Sequence, residues 1–146
     1  MQRFLYTVVA LLAGLAFLPT PAVASTARAG AKPAAVFTKT WYGHTRYLRV
    51  GPKHRAHEEI YDGCCDHVIN VTLRLRHFRG TRAHGSARAV VVAVRVFDPS
   101  AFSKQNPPPH KGQRGLIRLR HGVLSEPFTK TIYCDDRADR TGACGA

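Results

Sequence analysis

Acidic residues are scarce in this 146-residue chain: nine Asp and Glu stand against 22 Lys and Arg, a formal charge of +13. Such a field disfavours cationic partners and favours anionic ones. Methionine and tryptophan occur once each. No Cys-x-x-Cys, His-Glu-x-x-His or EF-hand spacing is present, which leaves thiol redox exchange, zinc-dependent hydrolysis and calcium sensing without a motif. No catalytic residue, metal site or cofactor is therefore assigned. Helical periodicity is absent beyond residue 24, and so is any second apolar run long enough to span a bilayer, which takes about 20 residues.

The one long apolar stretch is at the start. Met1-Gln2-Arg3 carries a positive charge, residues 4–18 are uncharged and mostly apolar, prolines 19 and 21 break the run, and Ala22-Val23-Ala24 ends it with small residues. This order reads as a signal peptide cleaved after Ala24. The expected location is secreted or periplasmic. Residues 25–35 are small and unpatterned and read as a flexible leader; residues 36–146 form one domain. Removing Arg3 with the signal leaves 21 basic and 9 acidic residues. The excess of Arg over Lys and the abundant Ala suit a GC-rich, bacterial coding sequence, but do not explain the excess over acid.

Four cysteines, Cys64, Cys65, Cys134 and Cys144, are an even number in an exported chain. That predicts two disulfides. Strand parity puts Cys65 with the inward residues of one strand and Cys134 with those of another. A Cys65–Cys134 bridge across the core then leaves Cys64 with Cys144, which tethers the C-terminal tail. Closing a loop of about 70 residues contributes about 4 kcal/mol. The competing pattern is a Cys64–Cys65 vicinal bridge with Cys134–Cys144.

Period-two alternation is clearest at 67–78, where Ile69, Val71, Leu73 and Leu75 alternate with Asn70, Thr72, Arg74 and Arg76. This is a half-buried strand. Residues 88–97 are apolar on both faces and read as a central strand covered on both sides. The turn-rich stretch 79–87 joins the two as a hairpin. Weaker strands are expected at 37–42, 46–50, 116–121 and 128–134, and one short helical turn at 54–60. In the last strand Phe128, Ile132 and Cys134 are assigned to the inner face. The fold class is all-β: a small antiparallel sandwich or barrel-like domain of about six strands, stabilised by disulfides. The proline-rich stretch 98–114 is taken as a crossover between sheets, with a binding loop as the alternative.

The surface feature of most interest is a ladder of Arg74, Arg76, Arg118 and Arg120, outward by the parity that turns the aliphatics inward. These four are the candidate anion-binding residues, since arginine donates bidentate hydrogen bonds to phosphate, sulfate and carboxylate. The expected function is non-enzymatic binding of an anionic polymer, an envelope surface or an acidic protein. Nucleic acid is not favoured, because few aromatics interleave the basic residues. Two alternatives are an enzyme inhibitor presenting loop 98–114, and a small basic hydrolase or toxin such as a ribonuclease, drawing on His84 and Glu58 with an arginine and tested at His57 and His84.

Overall fold

The computed structural model describes residues 32–63 and 65–144. The signal segment 1–24, most of the leader and Cys64 lie outside the described residues. The chain forms a closed antiparallel barrel in which eight strands follow one another in sequence order. The strands are β1 (Thr40–Gly43), β2 (Arg46–Val50), β3 (Arg55–Tyr61), β4 (His67–Gly80), β5 (His84–Val96), β6 (Arg114–Arg120), β7 (Val123–Glu126) and β8 (Thr131–Cys134). Pairing of Tyr42 in β1 with Cys134 in β8 closes the ring. Closure joins the two edges of the sheet, which are the usual hazard of a small β protein. A helical turn α1 (Pro33–Phe37) precedes the barrel, and α2 (Asp136–Asp139) follows it.

The strong alternation of residues 67–78 becomes β4, with Ile69, Val71, Leu73 and Leu75 in the core and Arg74 and Arg76 exposed. β4 and β5 are 14 and 13 residues long, against four to seven for the others. The ladder runs further into the connection than the turn-rich composition suggests. Only residues 81–83 remain as a loop, pinned by the Thr81 N–H on the His84 carbonyl at 2.8 Å. Gly80 makes this possible: its φ is +82°, and a Cβ there would lie 2.0 Å from the His84 carbonyl oxygen.

Several expectations are corrected. Phe37 belongs to α1, not to the first strand, and its fully buried ring lies 5.5 Å from Phe78. Trp41 donates its indole N–H to the Phe37 carbonyl at 3.0 Å, fixing α1 against the barrel. Residues 55–61 form a strand rather than a helical turn. β7 has no counterpart among the expected strands; four residues are too few to show a period. In β8 the faces are reversed: Ile132 is 48 % exposed while Tyr133 is 0 % exposed. β5 is covered on its inner face only, and a register shift opposite Thr72/Leu73 moves its inward set from Ala89 and Val91 to Val94 and Val96.

The stretch 98–114 joins β5 to its neighbour β6, so no crossover between sheets occurs. It folds over one end of the barrel, with Phe102 packed on the core and Pro109 buried. Phe37 plugs the opposite end, near Phe78 and Gly85.

Cys134 is bonded to Cys144, with Cα atoms 5.8 Å apart and a sequence separation of 10. The expected Cys65–Cys134 and Cys64–Cys144 pairs are therefore excluded. Strand parity misleads here because Cys134 lies on the outer side of β8, where it packs with Ala138 of α2 and not with the barrel core. The bridge ties the tail back to the end of β8 through a short loop. The same chain-entropy relation gives about 3 kcal/mol for this closure instead of about 4.

Candidate anion-binding face

Outward positions on β3 to β6 align in rows across the sheet. One row runs Arg55, Arg74, Val90, Arg114. The next runs Arg76, Arg88, Leu116, and a third Arg79, Ser86, Arg118. His84 pairs with Arg120 beyond them. The structure therefore brings Arg74, Arg76, Arg118 and Arg120 onto one outer face, with β5 between the two strands that carry them. It adds Arg55, Arg79, Arg88 and Arg114, making eight exposed arginines. The parity that marks Arg118 and Arg120 also marks Arg114, so that residue was within reach of the sequence. Arg79 was not, because the irregularity between Arg76 and Arg79 resets the register.

Rows on one strand are about 7 Å apart and strands about 4.8 Å apart. Two charges about 7 Å apart in water repel by about 0.6 kcal/mol before screening. The face is thus a tolerable but standing concentration of charge. Among the described residues, ion pairs join Lys39 and Arg82 to Asp135, and His67 lies 3.9 Å from Glu59; none of these carboxylates reaches the eight arginines.

The face is not flat. A depression of about 1090 Å³ is rimmed by Arg74, Arg76, Arg79, Arg88 and Arg114, with His77 beside them. A smaller one of about 380 Å³ adjoins it and is lined by His84, Arg118 and Arg120. The two share Arg79, Ser86 and Leu116. His77 sits at the β4 irregularity with φ of 52°, a left-handed conformation that costs a non-glycine residue energy.

A second polar cluster lies inside the barrel. β3 turns Ala56 and Glu58 inward, and Glu58 is 0 % exposed. Tyr133 donates to Glu58 Oε1 at 2.5 Å. Thr129 Oγ1 lies 2.7 Å from Glu58 Oε1, 2.6 Å from Glu126 Oε2 and 2.8 Å from the Thr131 hydroxyl. Glu126 also accepts the N–H groups of Phe128 and Thr129, both at 2.8 Å. One hydroxyl proton cannot serve two carboxylates. Glu126, with its backbone donors, is the better anion, and Glu58 is the better place for a shared proton. Burial, followed by the charge of Glu126, pushes the Glu58 carboxyl up from 4.5 to about 7. Arg46, which donates to the Thr131 hydroxyl at 3.1 Å, partly offsets this. Burial and then the Glu58 charge raise the Tyr133 phenol well above its usual value.

This placement separates the residues suggested for a hydrolase. Glu58 is enclosed in the barrel, His57 is on the other face of β3 with its Nδ1 3.3 Å from the Thr72 hydroxyl, and His84 is on the outer wall against His121. Glu58 and His84, the suggested acid and base, are therefore on opposite sides of the barrel wall. Asp135, one of the acidic residues near the tail, is engaged structurally. It accepts two hydrogen bonds from Arg82, at 2.6 and 2.7 Å, and caps α2 through the Ala138 N–H. Burial works to raise its carboxyl, but these donors and the Lys39 charge outweigh burial and hold it at about 2. Among the described residues no group of three or more His, Cys, Asp and Glu is placed to hold a metal. No helix among them is long and apolar enough to cross a membrane.

No protein-family model, curated protein or solved structure matches this chain at a significant level.

Proposed function

We propose that the chain is an exported, non-enzymatic domain that binds an anionic envelope component or an acidic protein through the outer face of β3 to β6. The observation that supports this best is the set of eight exposed arginines in register on adjacent strands, with no carboxylate among them. Guanidinium groups at these spacings offer several bidentate donors to an array of phosphates, sulfates or carboxylates at once. The barrel fixes the backbone positions that carry the donors before the ligand arrives, so that only side chains remain to be ordered on binding. Export is part of the proposal: the leader order of residues 1–24 favours it, and the Cys134–Cys144 bridge suits an oxidising compartment.

The inhibitor alternative is less well supported. Phe102 and Pro109 anchor the 98–114 segment on the barrel end and leave residues 103–107 between them exposed, a short stretch whose exposure is all that favours it. The test of the main reading is binding to an immobilised polyanion over a range of salt. The native chain should lose affinity steeply as salt rises, because exposed charge contacts are screened. The Arg74→Ser, Arg76→Ser, Arg118→Ser, Arg120→Ser variant should bind weakly at every salt concentration. Equal binding by the two proteins would refute the proposal.

A further inference from the structure

The arginine face contains aliphatic side chains where a purely electrostatic surface needs none. Val90 lies in the row between Arg74 and Arg114, and Leu116 in the row beside Arg88. Leu116 is 37 % exposed. Val90, Val92 and Leu116 together line the floor of the depression whose rim is arginine. Exposed aliphatic area is favourable only when a ligand covers it, at about 25 cal/mol per Å². A hydrophilic polymer such as polyphosphate offers nothing to cover it. A single-stranded nucleic acid would call for aromatic faces, of which the depression has only His77, and a duplex, held through its phosphates, would leave the aliphatic side chains uncovered. The exposed tyrosine and phenylalanine rings do not line the depression: Tyr42 packs edge to face on Tyr47, and Phe97 stacks on His67.

A ligand that matches both rim and floor has an anionic head and a hydrocarbon body. We propose that the depression binds an anionic phospholipid. Its phosphate sits among the Arg74, Arg76, Arg88 and Arg114 guanidinium groups, and the glycerol and first acyl carbons lie on the Val92, Val90 and Leu116 floor. Arginine suits the phosphate as a bidentate donor that sheds water readily. The volume, about 1090 Å³, exceeds what a phosphate group alone requires and is at the upper end for pockets that enclose a small molecule. This inference rests on the anion-binding reading of the face and names its ligand class.

The experiment compares two probes on three proteins. The probes are phosphatidylcholine vesicles containing phosphatidylglycerol, and soluble polyphosphate. The proteins are the native chain, the four-arginine variant, and Val90→Ser with Leu116→Ser. The native chain should bind both probes, and vesicles of phosphatidylcholine alone at least tenfold more weakly. The Val90→Ser, Leu116→Ser variant should lose vesicle affinity at least tenfold more than it loses polyphosphate affinity. Its remaining polyphosphate binding reports that the fold is intact. Equal loss on both probes, or no loss on vesicles, overturns the phospholipid proposal and leaves the anion-binding face standing. So does a native chain that binds polyphosphate and ignores the mixed vesicles. If the four-arginine variant binds both probes as the native chain does, the anion-binding reading itself fails.

Discussion

Replacing Glu58 by glutamine should make the barrel more stable at neutral and alkaline pH. Glu58 is fully buried, and its carboxyl is pushed from 4.5 up to about 7, first by burial and then by Glu126. A carboxyl raised in the folded state costs nothing while it is protonated in both states, below about pH 4.5. Between there and about pH 7 the unfolded chain ionises and the folded chain does not, so stability falls. Above about pH 7 both forms are ionised and the loss levels off. At 1.36 kcal/mol per pH unit, the interval from 4.5 to about 7 corresponds to a loss of about 3 kcal/mol. That is a large share of the roughly 5–15 kcal/mol typical of a domain. The Glu58→Gln side chain keeps the shape and an acceptor for the Tyr133 hydroxyl, and it cannot ionise. Urea unfolding of both proteins at intervals from about pH 4 to about pH 8.5 reads the titration of Glu58 together with that of Glu126, whose charge acts on it, while distant titrations cancel in the difference. The stability of the variant relative to the native chain should rise by about 3 kcal/mol across the range. A constant difference, or one that falls as pH rises, would refute the account of a proton held between Glu58 and Glu126.

Three further outcomes follow from the same structure. Asp135→Ala removes the partner of Arg82 and the cap of α2 together, and should destabilise by about 2 kcal/mol in thermal or denaturant unfolding. Because the Asp135 carboxyl is held at about 2, the stability it supplies is present above about pH 4 and disappears as pH falls towards 2, so native chain and variant should converge there. Cys144→Ser should cost about 3 kcal/mol, and peptide mapping without reductant should recover residues 134 and 144 in one linked pair. Phe37→Ala empties the plug at one end of the barrel and should cost about 3 kcal/mol or more, read as a drop in Tm; an unchanged Tm would contradict the plug.

The long hairpin of β4 and β5 was legible because its residues obey the simplest rule, aliphatic inward and basic outward, over many positions. β3 was not, because its core face carries Glu58. A buried carboxylate breaks the alternation of Ala56 and Ile60 and makes the strand look like a polar helical turn. The same polar interior explains the reversed faces of β8. Thr131 and Tyr133 turn inward to meet Glu58 and Thr129, and Ile132 is left outside. Both errors have one physical source, a hydrogen-bonded network at positions normally aliphatic. The disulfide pairing eludes strand parity for a related reason: inward is not the same as buried, and Cys134 is buried on the outer side, beneath α2. Half of the arginine face was visible from parity within single strands. Arg114 was within reach of the same rule, whereas Arg55, Arg79 and Arg88 depend on strand neighbours and register, which only the topology supplies. Arg88 joins the face because β5 lies between β4 and β6, and nothing local to residue 88 says so.

The most direct test of the central claim is the salt dependence of polyanion binding by the native chain and by the Arg74→Ser, Arg76→Ser, Arg118→Ser, Arg120→Ser variant. A binding face made of these guanidinium groups predicts a steep fall in the logarithm of affinity with the logarithm of salt for the native chain, and a much shallower slope with weaker binding for the variant. Parallel slopes and equal affinities in the two proteins would contradict it, and would return the arginines of β4 and β6 to the role of a solvated outer wall.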